Sequence, residues 1–352
     1  MQTNSLTQTA LTYDDVNIIP QYSEIRHRQD IDTSVKLSNT LTLTAPVISS
    51  PMDSITEFEM AFAMAKCGGI GVLHKFLPIE EQRFQVKQLK LRSRLPENRR
   101  YPVGAAIGAT ADYLERAEEL INANIDLLIL DVAHGHHKLI KDALTSLKNK
   151  FDHQVHIMAG SIATKKAAKD LINWGADSLR VGIGSGSLCS TRIQTGVGIP
   201  MISCLQEINE VASKHNIPVI ADGGLRTPGD IAKAIAAGAN AVILGSLLSG
   251  TKETPGILEK TGTWPNEKLQ KKYRGSASLE SKIDRGETKN VEGYSTIVPY
   301  KGKVKRIIDD VLHGLRSACS YVGATTLKEF QERATFIQVT NAGITEAQPH
   351  LL

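Results

Sequence analysis

The chain has 352 residues, 41% hydrophobic and 22% charged, with a formal net charge of +4. That length sustains one large core and permits two domains, and the composition is that of an ordinary globular chain, which excludes extensive disorder. A charge of +4 on 352 residues gives no argument for nucleic-acid binding, and no apolar run reaches the ~20 residues that a membrane-spanning helix needs.

The opening residues, Met1 to Ala10, lack the basic region and apolar core of a secretory signal. The four cysteines, Cys67, Cys189, Cys204 and Cys319, show no CxxC spacing, so neither a zinc site nor a disulfide framework is indicated and a reducing, cytoplasmic setting is expected. From Ala45 onward, short valine- and isoleucine-rich runs alternate with longer segments of helical periodicity, the signature of repeated βα units on a parallel sheet. The strand candidates are residues 46–49, 69–73, 103–107, 127–131, 156–159, 179–183, 219–221 and 241–244. Eight such runs predict a closed (β/α)8 TIM barrel. A doubly wound open sheet is the weaker alternative, because no Gly-x-Gly-x-x-Gly opens a helix after the first strand.

Between the strands, one helix is expected from Thr110, with a hydroxyl cap and early acidic residues, and another from Thr227-Pro228 to Gly238. After Leu248 the alternation breaks. Residues 249–303 form a long charged, glycine-bearing excursion, read as a flap over the barrel mouth. A final helix begins at Val304, and the tail from Phe336 onward carries no readable function. The expected organisation is a single domain over residues 1–352, with the flap inside it.

Chemistry concentrates where strands end, which in such a barrel is where ligands bind. The run from Gly182 to Pro200 packs five glycines around one thiol, Cys189, and several hydroxyls. A thiol in a donor-rich turn can ionise and attack an electrophilic carbon, although a free cysteine there is equally compatible with a small buried hydrophobe. Asp222-Gly-Gly224 and Gly245-Ser246 end successive strands, so their backbone amides can converge with Ser187 on a phosphate. His134, His136 and His137 lie together after Asp131, but no carboxylate spacing supports a metal there.

The sequence Gly184-x-Gly186-Ser187-x-Cys189-x-Thr191-Arg192, followed by Thr195-Gly196-Val197-Gly198-x-Pro200, closely resembles the active-site loop of the IMP dehydrogenase and GMP reductase family. Leu11-Thr-Tyr-Asp-Asp15, Ser50-Pro-Met-Asp53, Gly68-Gly-Ile-Gly71, Asp131-Val-Ala-His-Gly-His136, Asp222-Gly-Gly224 and Lys301-Gly302 extend the resemblance along almost the whole chain. It implies that Cys189 adds covalently to C2 of a purine nucleotide. Thr191 would then act with the flap acid Glu287 in proton transfer. Ser50, Met52, Ser187, Asp222, Gly223, Gly224, Gly245, Ser246 and Gly275 would bind the nucleotide, with Asp222 on the ribose. Lys75 and Asp131 would meet a nicotinamide cofactor, joined by Ser317 and Tyr321 from a neighbouring subunit of a homotetramer. The carbonyls of Gly184, Gly186 and Cys189 would hold a monovalent cation, potassium.

The resemblance also bears on direction. Family dehydrogenases carry an Arg-Tyr pair in the flap that activates water, and commonly an inserted regulatory domain of roughly a hundred residues, the size of a separate domain. Between Gly275 and Lys301 this chain has no Arg-Tyr pair, and the stretch after Leu77 runs through Arg100 directly into the next strand. Gly275-Ser-Ala-Ser278, the run from Gly286 to Gly293, and the run from Arg316 to Ala324 resemble the GMP reductase branch instead, which implies NADPH-dependent conversion of GMP to IMP and ammonia. Ser185 replaces a common proline, and Ser276-Ala277 replaces the Met-Ser of one reductase branch, which leaves strictness for GMP open. A dehydrogenase without the regulatory domain and a non-catalytic purine-nucleotide-binding barrel remain as alternatives.

Overall fold

A computed structural model describes residues 9–92, 101–263, 265–287, 289 and 291–349. Residues 93–100, within the run expected to pass straight into the third strand, lie outside the described residues, as do Met1 to Gln8 and the last three of the tail. The apolar runs pair in parallel as eight strands of one closed barrel: β1 Val47–Ser49, β2 Ile70–Leu73, β3 Val103–Ile107, β4 Leu127–Asp131, β5 His156–Ile162, β6 Ser178–Val181, β7 Val219–Asp222 and β8 Ala241–Leu244. The ring closes by pairing β8 with β1 (Val242 opposite Val47). The protein is therefore the (β/α)8 TIM barrel that the alternation predicts.

Helices α1 Phe58–Lys66, α2 Ile79–Arg92, α3 Tyr113–Asn122, α4 Lys138–Phe151, α5 Lys165–Asn173, α6 Thr191–Thr195, α7 Met201–Ala212 and α8 Pro228–Ala236 follow the strands, and all but the short α6, which buries no residue, pack apolar faces onto the barrel in one large core. Local chemistry sets their ends. In α8 the Thr227 hydroxyl accepts from the Asp230 amide at 3.1 Å and the Asp230 carboxylate accepts from the Thr227 amide at 3.1 Å, a reciprocal cap. The helix expected from Thr110 begins only at Tyr113, because Ala111 takes a positive φ of 56° that no helix accommodates.

The N-terminal end of the barrel is plugged. A hairpin formed by Val35–Lys36 and Thr42–Leu43 buries Leu37, Leu41 and Leu43 against Ile48, Ile70, Leu127 and Ala241 inside the strands. Only the C-terminal mouth is left for ligands. Over it lies the excursion after β8, which the structure resolves into an antiparallel sheet of β9 Glu259–Thr261, β10 Lys268–Arg274 and β11 Ser295–Pro299, with the short helix α9 Leu279–Ile283 between its last two strands. Helix α10, Val304–Val322, then returns to pack on α1 and α8 and stops at Gly323. The tail strand Phe336–Gln338 pairs antiparallel with Val16–Ile18 and joins the two ends of the chain. Among the described residues, no helix is long and apolar enough to cross a membrane.

Candidate active site

The strand ends and the flap enclose one cavity of about 550 Å³. Ser50 and Met52 after β1, Lys75 after β2, Asp131 at the end of β4, Ser187, Cys189 and Thr191 after β6, Asp222 to Gly224 at the end of β7, Gly245 and Ser246 after β8, and Gly275 in the flap all line it. Two loops meet closely at its floor: Ser185 Oγ donates to the Asp222 carbonyl at 3.0 Å, and a Cβ on Gly223 would lie 2.2 Å from Ser185 Oγ. Ser185, the departure from the common proline, thus ties the loops after β6 and β7 together. The Leu11–Asp15 stretch supports them from below, with the buried Tyr13 ring 3.3 Å from where a Gly224 Cβ would sit. Lys301 in Lys301-Gly302 donates to the Ser246 and Leu247 carbonyls at 3.0 and 3.2 Å, which fixes the turn after β8.

Cys189, Thr191 and a flap carboxylate form a hydrogen-bonded chain. Cys189 Sγ donates to Thr191 Oγ1 at 3.2 Å, and Thr191 Oγ1 donates to Glu292 Oε2 at 2.6 Å. The acid is Glu292, which sequence reasoning missed. Glu287, the residue expected there, faces Lys282 at 3.4 Å and Arg285 at 3.8 Å on the cavity rim, with its side chain 56% exposed. The cause is a strand-like pairing between the flap and the thiol loop. The Ser190 amide donates to the Glu292 carbonyl at 3.0 Å and the Tyr294 amide to the Leu188 carbonyl at 2.9 Å, with Cys189 bridged to Gly293. Gly293 permits that approach, since a Cβ there would press on the Ser278 amide at 3.1 Å and the Leu188 carbonyl at 3.4 Å. The local signal was the glycine after Glu292, which marks close backbone approach.

Arg180 on β6 and Tyr273 on β10 were also missed, because neither lies in a turn motif. Arg180 Nε donates to Asp222 Oδ2 at 2.6 Å and its Nη1 donates to Asp131 Oδ1, while Lys75 Nζ lies 3.5 Å from Asp131 Oδ2. Burial alone would raise the Asp131 pKa, but Lys75 and Arg180 outweigh it and hold the carboxyl below its ordinary value. Burial opposes the Arg180 charge in the same way, and Asp222 and Asp131 outweigh that too, so the guanidinium stays fully charged. Both acids therefore face the cavity with one oxygen committed to Arg180. Tyr273 Oη lies 3.3 Å from Ser187 Oγ; burial pushes its phenol pKa up, so it remains a neutral hydroxyl beside Ser187 and Gly245.

Other expected residues lie elsewhere. Within one chain Ser317 and Tyr321 stay outside the cavity: Ser317 Oγ accepts from Arg28 Nη1 at 2.9 Å, and Arg28 stacks on the Tyr321 ring at 5.6 Å. His136 pairs with Asp170 at 2.8 Å and stacks on Trp174, and His137 caps α4. Burial pushes the Cys204 and Cys319 thiols up to about 12 and raises that of Cys67, which leaves them poor nucleophiles. The Gly186 carbonyl, expected at a cation site, accepts the Cys189 amide at 3.0 Å.

Phe76, Val132 and Ala133 line the cavity beside Lys75 and Asp131. An apolar patch beside a few convergent polar groups is a lining that suits a nicotinamide ring, although the Arg285 guanidinium lies 4.0 Å over the Phe76 ring.

A plugged parallel barrel whose strand-end turns, thiol loop and flap acid converge on a single cavity defines a barrel enzyme built to hold and activate a small polar molecule. A model of the IMP dehydrogenase / GMP reductase domain matches residues 10–350. The chain belongs to that family of oxidoreductases, which act on the purine nucleotides IMP and GMP with a nicotinamide cofactor. It is 36% identical to the inosine-5'-monophosphate dehydrogenase of Borreliella burgdorferi, with 99% of this chain and 98% of the relative covered. With the enzyme of the same name from Cryptosporidium parvum identity is 36%, covering 97% and 94%. With the GMP reductase of Leishmania major it is 32%, covering 97% and 96%.

Proposed function

We propose that this protein is a GMP reductase, converting GMP to IMP and ammonia with NADPH through a covalent bond between Cys189 and purine C2. The observation that carries this reading is the Cys189–Thr191–Glu292 chain of hydrogen bonds, at 3.2 and 2.6 Å, in a flap with no Arg-Tyr pair to activate water. Glu292 takes the thiol proton through the Thr191 hydroxyl, and the thiolate attacks C2 of GMP. The same proton returns through Thr191 to the exocyclic amine, which leaves as ammonia. A reduced nicotinamide held beside Lys75 and Asp131 would supply the hydride to C2, on which the Cys189 thiolate leaves, IMP is released and a solvent proton restores the thiol.

The remaining residues bind and orient. Asp222 presents its oxygen not held by Arg180 to the ribose hydroxyls, and Ser187, Gly224, Gly245, Ser246 and Tyr273 surround the phosphate. Lys75 and Asp131 orient the nicotinamide amide, and Ser317 and Tyr321 complete the cofactor site from a neighbouring copy in a homotetramer. The backbone carbonyls of Gly184, Gly186 and Cys189 would hold a potassium ion, the Gly186 carbonyl through the lone pair that the Cys189 amide does not use. One catalytic domain with a 249–303 flap and no inserted regulatory domain accounts for the chain. Its alignment with the Leishmania major protein spans 479 positions against 352 residues here, which is consistent with an insertion in that relative. A cytoplasmic setting fits the free thiols.

Oxidation of IMP is the second reading, favoured by the names of the two relatives at 36% identity. Pure protein incubated with GMP and NADPH is expected to release ammonia in step with NADPH consumption. Turnover only with IMP and NAD, yielding XMP, would establish the dehydrogenase instead.

A further inference from the structure

From Ile183 to Ile199 the chain leaves β6 and returns to α7 by a loop whose outer half is hardly packed. Ile193 and Val197 are 75% and 59% exposed. The bonds made by that half are local: Gln194 amide to Ser190 carbonyl at 2.8 Å, Thr195 hydroxyl to Thr191 carbonyl at 2.7 Å, and Val197 amide to Thr195 hydroxyl at 3.1 Å. Such a loop samples many conformers unless its ends are tied.

One side chain ties them. Arg192 turns back beneath the loop, where its Nε donates to the Ile183 carbonyl at 3.1 Å and its Nη2 to the Ile199 carbonyl at 2.6 Å. Two glycines leave the space: a Cβ on Gly184 would lie 2.5 Å from Arg192 Cγ, and one on Gly198 would lie 2.4 Å from Arg192 Nε. A guanidinium is a rigid planar fork with several donors, so it can bridge two carbonyls in a fixed geometry that a single ammonium cannot reproduce. Cys189 and Thr191 lie on the stretch between the Ile183 tie and Arg192 itself, and the Ser190 amide is held from the other side by the Glu292 carbonyl.

We propose that Arg192 is a positioning residue: its guanidinium clamps both ends of the 183–199 loop and so fixes Cys189 and Thr191 relative to Glu292 and the purine. This rests on the reading of Cys189 as the nucleophile. The clamp keeps the thiol within reach of C2 in every turnover, and its loss costs chemistry rather than nucleotide affinity, because the groups assigned to the ribose and phosphate lie mainly on β7, β8 and the flap.

The test compares wild type, Arg192→Ala and Arg192→Lys, each as full chain. In Arg192→Ala, hydrogen exchange is expected to speed at the Cys189 and Ser190 amides, while α7 keeps its protection. Turnover should fall about 100-fold, the scale of a small misplacement of reacting groups, with the GMP dissociation constant unchanged within about threefold. Low-millimolar guanidinium added to Arg192→Ala should restore part of the rate, and Arg192→Lys should remain impaired. Unchanged loop exchange together with wild-type turnover in Arg192→Ala would overturn the clamp, as would a loss of GMP binding equal to the loss of rate. If wild type turns over neither substrate pair, the assigned reaction fails, and the exchange comparison alone then decides for or against the clamp.

Discussion

The loops after β6 and β7 and the flap face the same cavity, but different physics holds them. Asp222, Ser185 and the thiol loop grow directly from strands whose neighbours are fixed by the barrel ladder, and a buried guanidinium, Arg180, joins the ends of β4 and β7. The flap is tethered by polar latches. Asp53 accepts from Arg274 at 2.8 Å and from Ser281 at 3.1 Å, and Ser54 donates to the Arg274 carbonyl at 2.9 Å. The barrel side carries the thiol and most of the groups assigned to binding, while the flap adds Tyr273 and Gly275 at the nucleotide and carries the acid that must meet the thiol. A rigid floor with a detachable acid separates affinity from chemistry, so substitutions on the two sides should fail differently.

The largest effect is expected at Cys189. Replacing it with alanine should lower turnover by about 10⁴-fold or more, as loss of a nucleophile does, while calorimetry still detects GMP binding. Residual turnover near wild type would dissolve the distinction between floor and flap chemistry. Next comes the flap acid: Glu292→Gln should cost about 10²- to 10⁴-fold in kcat, the usual worth of a proton-transfer group, and Glu287→Gln no more than about threefold. The opposite order would return the role to Glu287. Cutting the latch in Arg274→Ala removes a charged hydrogen bond worth about 1.5–3 kcal/mol, so the KM for GMP should rise about tenfold or more while the melting temperature of the barrel hardly moves. Equal losses in KM and melting temperature would show that flap and barrel are one cooperative unit.

The smallest effect concerns acid. Asp131 is held below its ordinary value of 3.8 by Lys75 and Arg180 against the effect of burial, so the stability it contributes is complete above 3.8 and is lost as pH falls through its lower folded value. Melting temperature measured from neutral pH down through that window should decline less steeply in Asp131→Asn. Identical profiles would mean that the pair does not link protonation to folding.

The sequence exposed those parts of the site that are written in local chemistry. Cys189 among its glycines, the Asp222-Gly-Gly224 turn and Gly245-Ser246 are each a few consecutive residues whose backbone demands are visible without a partner. Glu292 was not legible that way: it and Glu287 are both single acids in one charged segment, and only the pairing of the flap with the thiol loop selects between them. Arg180 reads as an ordinary strand residue until the barrel sets it between two carboxylates. Tyr273 reads as a strand aromatic until the flap folds over Ser187. The tail strand likewise gave no signal, since its partner Val16–Ile18 lies at the other end of the chain.

By itself the sequence determined the barrel, because short continuous apolar runs and segments of 3.6-residue period alternate eight times and each is a local property of the chain. It also determined the family, because the thiol loop is contiguous. Tertiary structure alone decided which acid reaches Thr191, which cation neutralises the mouth and what ties down the loop that carries Cys189. Those choices depend on distances between residues far apart in the chain, which no local pattern encodes.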